Sequence, residues 1–130
     1  MHKSLFAAVL MGFVEIASAQ AASPEGNWVG TMGPGPSGLF LKIEMSIADG
    51  GNTGTWRMTP PAGKSSRNNA CFRKDMPVVV KRSSDTELQL EVHGDGVLKG
   101  CIEAKGVMKY DGKTIEGNFQ DGGGVKLSRP

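Results

Sequence analysis

Apolar and polar residues alternate one for one in several short segments of this chain. The clearest segment runs from Leu39 to Ala48, where every second residue from Leu39 to Ile47 is apolar. A period of two turns one side of an extended strand toward a core and the other toward water. The same pattern recurs from Glu87 to His93, and no segment after residue 21 has the periodicity of a helix. The sequence therefore predicts an all-β domain.

Shorter strands are predicted around these two. They are Gly26 to Met32, Thr53 to Met58, Val78 to Val80, Thr114 to Gln120 and Val125 to Leu127. From Leu98 to Tyr110, every second residue is apolar or glycine. This predicts either one long strand bent at a glycine or two strands broken at Lys105-Gly106. The Asp111-Gly112 pair that follows is typical of a type I′ hairpin turn, in which both central residues have positive φ. About eight short antiparallel strands indicate a small up-and-down β-barrel, with a small β-sandwich as the alternative.

Glycine and proline are concentrated in the predicted turns and loops. The 130-residue chain has 19 glycines and 7 prolines, and all but Gly12 follow Ala19. Two stretches are irregular: Gly33 to Gly38 reads Gly-Pro-Gly-Pro-Ser-Gly, and Thr59 to Asp75 is long for a hairpin connection. Long loops on a stiff scaffold are common binding sites. These two stretches are therefore either a binding surface or ordinary surface loops.

Residues 1–21 have the pattern of an export signal. Met1-His2-Lys3 is basic, and the apolar run from Leu5 to Val14 is shorter than the roughly 20 residues that span a bilayer. The small residues that follow predict cleavage after Ala19 or Ala21, and a buried N-terminal helix is the alternative. Residues 22–130 are predicted to be a single domain that is periplasmic or secreted and has no transmembrane span.

The chain has two cysteines, Cys71 and Cys101. In an oxidising compartment an even number of cysteines usually forms disulfides, so a bridge between them is predicted. The chain-entropy model gives about 3.5 kcal/mol of stability to a bridge that closes a loop of about 30 residues. A reactive thiol is the alternative, but the sequence has no Cys-x-x-Cys pair to support it.

Residues that could carry catalysis are few. His93 is the single histidine after the signal, and it lies on the polar face of its strand, where it is expected to be solvated. Four aspartates adjoin glycines in predicted turns, where Asp bonds its own main chain: Asp49, Asp95, Asp111 and Asp121. An enzyme would need a cleft that joins His93 to carboxylates such as Glu91 or Glu103. No catalytic residue, metal site or cofactor is predicted, and the protein is expected not to be an enzyme.

The long loop contains a modest basic region. Its positive residues are Lys64, Arg67, Arg73 and Lys74. Only Phe72 is interleaved to stack on bases, so nucleic acid is not an expected partner. The net charge of the chain is +2, and a solvated face is the plain interpretation of this region. If it binds, an anionic polymer, a lipid surface or an acidic protein is its natural target.

Gly26-Asn27-Trp28, at the start of the first predicted strand, resembles the Gly-x-Trp of the calycin group, the lipocalins and avidins. Thr53-Gly54-Thr55-Trp56 is similar to the Thr-Gly-Thr-aromatic stretch of avidin-type barrels. The resemblance implies that Arg129, near the end of the last strand, stacks on Trp28 by cation–π contact and closes the barrel. Biotin binding is not implied, because the chain has no further tryptophans.

Gly106 to Gly122 resembles a single MORN repeat. Such repeats stack on one another to bury their faces, so one copy does not form a domain alone. The segment is interpreted as a hairpin within the barrel.

Taken together, these residues predict an exported, non-enzymatic binding protein of the bacterial envelope. Its expected partner is a protein, such as a secreted hydrolase that it inhibits, or an envelope component, bound through Gly33–Gly38 and Thr59–Asp75. The alternative is a calycin-type carrier of a small apolar ligand, which predicts a cavity near Trp28 and Trp56. The low content of large apolar residues favours a filled barrel. The oligomeric state stays open.

Overall fold

The computed structural model describes residues 22–35, 38–60 and 70–130. These residues form eight strands: β1 Gly26–Gly33, β2 Leu41–Ile47, β3 Thr53–Thr59, β4 Met76–Ser84, β5 Glu87–His93, β6 Glu103–Tyr110, β7 Thr114–Asn118 and β8 Gly124–Ser128. Each strand pairs antiparallel with the next, and β8 pairs with β1 to close the barrel. The predicted up-and-down barrel is confirmed, and the sandwich alternative is wrong. The predicted signal lies outside the described residues.

The alternating pattern places apolar side chains inside the barrel. In β2, Ile43, Met45 and Ile47 are buried while the residues between them are exposed. Trp28 and Trp56 are fully buried. Met45 pairs with Trp28 and Trp56 on the two neighbouring strands, and Met76 pairs with Trp56. The rings of Tyr110 and Phe119 contact those of Trp28 and Trp56, respectively, edge to face. Large side chains therefore surround both tryptophans. Within the described parts of the chain, no helix is long and apolar enough to cross a membrane.

Three inward-facing glycines mark where neighbouring strands approach most closely. A Cβ atom at Gly30, Gly54 or Gly106 would lie 1.9, 2.0 or 2.2 Å from a carbonyl oxygen of the adjacent strand. No side chain fits in that space, so only glycine allows the strands to coil this tightly. Closing a barrel of only eight strands requires such strongly bent positions.

The segment from Leu98 to Tyr110 is not strand throughout, so both sequence-based interpretations of it are wrong. β6 begins at Glu103, and residues 94–102 form a compact loop. Gly94 N–H donates to the carbonyl oxygen of Ile102 at 2.7 Å, and Cys101 N–H donates to that of Leu98 at 3.0 Å. These bonds within the loop take the place of the hydrogen bonds between strands that the alternating pattern predicts.

The turn between β6 and β7 also differs from the prediction. Gly112 has a φ of 91°, but Asp111 does not have a positive φ, so the turn is not type I′. Asp111 Oδ1 instead accepts the backbone N–H groups of Lys113 and Thr114 at 2.8 and 2.7 Å. These bonds, that of Lys113 first, hold the pKa of the Asp111 carboxyl below its usual range. The aspartate side chain thus supplies the turn contacts itself.

One end of the barrel is closed by the segment that precedes β1. Trp28 Nε1 donates to the carbonyl oxygen of Pro24 at 2.9 Å. The guanidinium of Arg129 lies 4.1 Å from the Trp28 ring centroid and donates to the carbonyl oxygens of Ser23 and Glu25. The structure therefore brings Trp28 and Arg129 together, and the arginine holds the incoming chain against the tryptophan. We call this the closed end.

Replacing Arg129 with methionine is expected to lower the free energy of unfolding by about 2 kcal/mol. The change removes a charged donor from several backbone carbonyls and the cation–π contact with Trp28. Urea denaturation measures the loss. Lys126→Met, on the exposed face of the preceding strand β8, is the control and should stay within about 0.5 kcal/mol of the parent. Equal effects of the two changes would contradict the role of Arg129.

Candidate functional site

The up-and-down topology gathers four connections at the end of the barrel opposite the closed end. They are the β1–β2, β3–β4, β5–β6 and β7–β8 connections, whose described residues are 34–35, 38–40, 60, 70–75, 94–102 and 119–123. We call this the loop end. The described residues of both irregular stretches singled out in the sequence, Gly33–Gly38 and Thr59–Asp75, lie there. Their meeting at one end follows from antiparallel neighbours that alternate in direction.

The loop end exposes apolar side chains in two pairs. Leu39 and Phe40 are 40% and 49% exposed in the β1–β2 connection, and Val97 and Leu98 are 46% and 36% exposed in the β5–β6 connection. Among the described residues, these are four of the five large apolar side chains that are exposed, and the fifth, Val107, lies on the outer wall. The two pairs lie on connections from opposite sides of the barrel, and apolar side chains exposed on the loops of a stiff scaffold are candidate contacts for a partner. The sequence had placed Leu39 and Phe40 in a strand, but β2 begins only at Leu41.

Hydrogen bonds within the two connections fix the positions of these pairs. Gly35 N–H donates to the carbonyl oxygen of Leu39 at 2.8 Å, and Gly38 N–H donates to that of Gly35 at 2.9 Å. In the other connection, Leu98 N–H donates to the carbonyl oxygen of Gly94 at 3.0 Å. A surface that is ordered before binding loses less conformational entropy when a partner docks.

A disulfide joins two of the four connections. Cys71 in the β3–β4 connection is bonded to Cys101 in the β5–β6 connection, as predicted, with 5.7 Å between the Cα atoms. Cys101 is buried, and Cys71 and Phe72 pack partly buried against the core. The backbone N–H of Arg73 then donates to the carbonyl oxygen of Met58 on β3 at 2.9 Å. The end of the long connection is thus fixed to the barrel on both sides of Phe72.

The structure describes only part of the predicted basic region. Lys64 and Arg67 lie outside the described residues, whereas Arg73 and Lys74 are exposed at the loop end. The nearby acid, Asp75, forms an ion pair with Arg57 on β3, with 2.9 Å between Nη2 and Oδ1. Exposed pairs of this kind contribute little stability. Among the described residues, the loop end therefore presents exposed charges of both signs beside the apolar pairs: Arg73, Lys74 and Lys99 are positive, and Asp75, Asp95 and Asp121 are negative.

The side chain of His93 is 44% exposed, as expected for a histidine on the polar face of its strand, but it also contacts two carboxylates. Its Nδ1 lies 3.0 Å from Glu103 Oε2 and its Nε2 lies 3.3 Å from Glu91 Oε1. The contact with Glu103, followed by that with Glu91, raises the pKa of His93 although partial burial opposes the shift. The pKa of Glu91 is lowered, first by its hydrogen bond with Lys81. Residue spacing could have shown that Glu91 and His93 share a face, but the pairing with Glu103 required the register of β5 and β6.

Two open depressions adjoin the loop end on the outer wall. A groove of about 790 Å³ crosses β6 to β8 and reaches the loop end at Phe40, with Val107 in its lining. A cleft of about 360 Å³ contains His93 and its two glutamates. In the part of the chain that the structure describes, no group of three or more His, Cys, Asp and Glu side chains has the arrangement of a metal site.

Comparisons of the chain with family models, curated proteins and solved structures found no match. The barrel and the chemistry of its loop end are therefore the ground on which a function is proposed.

Proposed function

We propose that the protein is an exported, non-enzymatic binding protein of the bacterial envelope that holds a protein partner at its loop end. The observation that carries the proposal is the gathering of both irregular connections and both exposed apolar pairs at one end of a closed barrel. The disulfide and the N-terminal sequence pattern support export, and a periplasmic or secreted location is part of the proposal.

The separation of the two apolar pairs favours a macromolecule. Leu39 and Phe40 lie between β1 and β2, whereas Val97 and Leu98 lie between β5 and β6. The two pairs are therefore on opposite sides of the barrel. A partner that contacts both must span the end of the barrel, which suits a protein interface of about 800 Å² on each side. Aromatic and apolar anchors within a polar rim are the usual composition of such interfaces.

The basic residues of the β3–β4 connection indicate the chemistry of the partner. Arg73 and Lys74 are exposed beside the disulfide-linked connections, and Lys64 and Arg67 belong to the same connection in the sequence. An acidic surface surrounding an apolar depression would complement this end. The cleft of a secreted hydrolase has that form when its walls carry carboxylates, and the most specific version of the proposal is an inhibitor of such an enzyme. An envelope component with anionic groups is the other form.

Photo-crosslinking in envelope extract tests which surface meets the partner. A photoreactive residue placed at Phe40 or Leu98 is expected to form the same adduct, and one placed at Glu44, on the exposed face of β2, is expected to form none. The adduct is identified by mass spectrometry and then purified for direct binding. Adducts of equal yield from Glu44 would contradict a binding site at the loop end.

The basic connection is tested separately with that purified partner. Changing Lys64, Arg67 and Arg73 together to alanine is expected to slow association and to weaken its dependence on salt, because the three charges steer an acidic partner. Stopped-flow association at two ionic strengths measures both. Unchanged rates would remove this connection from the interface while leaving the apolar pairs in it.

A second candidate is a calycin-type carrier of a small apolar ligand, and one observation favours it. The Nε1–H of Trp56 is buried and has no hydrogen-bond partner among the described residues. A ligand with an acceptor atom near Trp56 would satisfy that donor. Native mass spectrometry of the purified protein tests the candidate: a bound small molecule supports it, and a ligand-free chain with unchanged tryptophan fluorescence in the presence of fatty acids opposes it.

A further inference from the structure

His93 lies between two carboxylates at the edge where β5 and β6 reach the loop end. Its two ring nitrogens lie 3.0 Å from Glu103 Oε2 and 3.3 Å from Glu91 Oε1. A carboxylate oxygen only accepts hydrogen bonds, so both contacts are favourable only when both nitrogens carry a proton. A neutral ring would direct a lone pair at one of the carboxylates. The geometry is therefore that of an imidazolium with two anionic partners.

Glu103, one of the two glutamates that contact the histidine, also holds the β5–β6 connection. Glu103 Oε1 accepts the backbone N–H of Asp95 at 3.2 Å, and Asp95 Oδ1 accepts that of Gly100 at 2.8 Å. These two bonds enclose Val97 and Leu98, the exposed apolar pair. A change in the charge of His93 thus reaches the connection through a single carboxylate.

Charges on four elements surround the ring. From β4, Lys81 Nζ lies 3.2 Å from Glu91 Oε2. From β6 and the β7–β8 connection, Lys105 and Asp121 line the same cleft as the histidine. The two carboxylates contact the ring directly, whereas Lys81 contacts Glu91 rather than the ring. The raised pKa of His93 agrees with this arrangement.

We propose that the protonation of His93 controls the order of the β5–β6 connection, and through it the strength of partner binding at the loop end. The last step rests on the proposed function. Because the pKa of the folded state is raised, the stabilisation is complete below the ordinary pKa of a histidine and is lost as the pH rises through the raised value. At higher pH the ring keeps one N–H but loses its positive charge, which leaves Glu91 and Glu103 facing each other with no cation between them. Glu103 then turns away from Glu91, and its bond with the N–H of Asp95 weakens. Val97 and Leu98 are then held by bonds within the connection itself, such as those that they donate to the carbonyl oxygen of Gly94.

NMR titration of the full chain without any partner tests the first step. The ring protons of His93 and the backbone amides of Asp95 and Gly100 are expected to titrate together across neutral pH, with a midpoint above the ordinary value for histidine. In His93→Gln the amide titration in this range should disappear. In Glu91→Gln the common midpoint should move down, while the bond between Glu103 and the connection remains.

Glu44→Gln, on β2, is the matched control and should leave both titrations unchanged. The proposal is overturned if the two amides do not follow the ring in the parent protein, if they still titrate in His93→Gln, or if the midpoint does not rise above the ordinary value. If a variant fails to fold, the titration of the parent protein alone decides whether the connection follows the charge of His93.

Because no partner is present in this experiment, its outcome does not depend on whether the protein binds a partner. With a partner in hand, its affinity should weaken as the pH rises through the same midpoint, and a flat affinity in that range would overturn the second step.

Discussion

Replacing Gly30 with alanine is expected to lower the free energy of unfolding by about 3 kcal/mol or more, enough to leave a domain of this size largely unfolded on mild heating. The added Cβ would lie 1.9 Å from the carbonyl oxygen of Lys126 and 2.8 Å from the Cα of Leu127. Both atoms belong to the backbone of β8, which no side-chain rearrangement can move. The β1–β8 pairing that closes the barrel would have to separate. Thermal and urea denaturation followed by tryptophan fluorescence measure the loss.

Gly96→Ala is the matched control for this change. Gly96 has no heavy atom within 4 Å of an added Cβ, and its φ is not in the left-handed region. Alanine there should leave stability unchanged or raise it slightly, since it restricts the unfolded chain. If the two alanine variants had similar stability, the close approach of β1 and β8 at Gly30 would be wrong.

Removing the disulfide by changing both Cys71 and Cys101 to serine is expected to lower the free energy of unfolding by about 3.5 kcal/mol. The bridge spans a sequence separation of 30, and its loss frees the unfolded chain. It also frees the β5–β6 connection from the β3–β4 connection, so partner affinity should fall as well. Reduction of the parent protein should reproduce both effects. A double-serine variant as stable as the oxidised parent would contradict this role of the bridge.

The barrel could be predicted from the sequence because its strands are amphipathic and most of its connections are short. Ile43, Met45 and Ile47 point inward as the alternating pattern requires, and tight turns leave few alternatives to pairing between neighbours. The pattern failed between Leu98 and Ile102. The parity of a strand continues there, but hydrogen bonds within the loop and the bond from Cys101 to Cys71 give the chain a different path. Such contacts between distant residues leave no period in the sequence.

The candidate site could be predicted only in outline. Composition identified the two irregular connections, and the up-and-down topology then placed them at one end. The exposure of Leu39 and Leu98 could not be read from the sequence, since both continue the apolar parity of a neighbouring strand and resemble core residues, whereas Phe40 has the parity of the polar face. Of the two partners of His93, Glu91 follows from spacing along β5, but Glu103 depends on the register between β5 and β6. Register is set by the whole barrel rather than by the residues near the histidine.

The central claim is that the loop end binds the partner. Isothermal titration of the purified partner with Phe40→Asp/Leu98→Asp and with Glu44→Lys tests it most directly. The double variant places a charge in each exposed apolar pair and is expected to bind at least about 30-fold more weakly, since central apolar anchors contribute about 2 kcal/mol or more. Glu44→Lys, on the wall of β2, is expected to bind as the parent does. Parent-like affinity of the double variant, with its fold intact by circular dichroism, would contradict the claim.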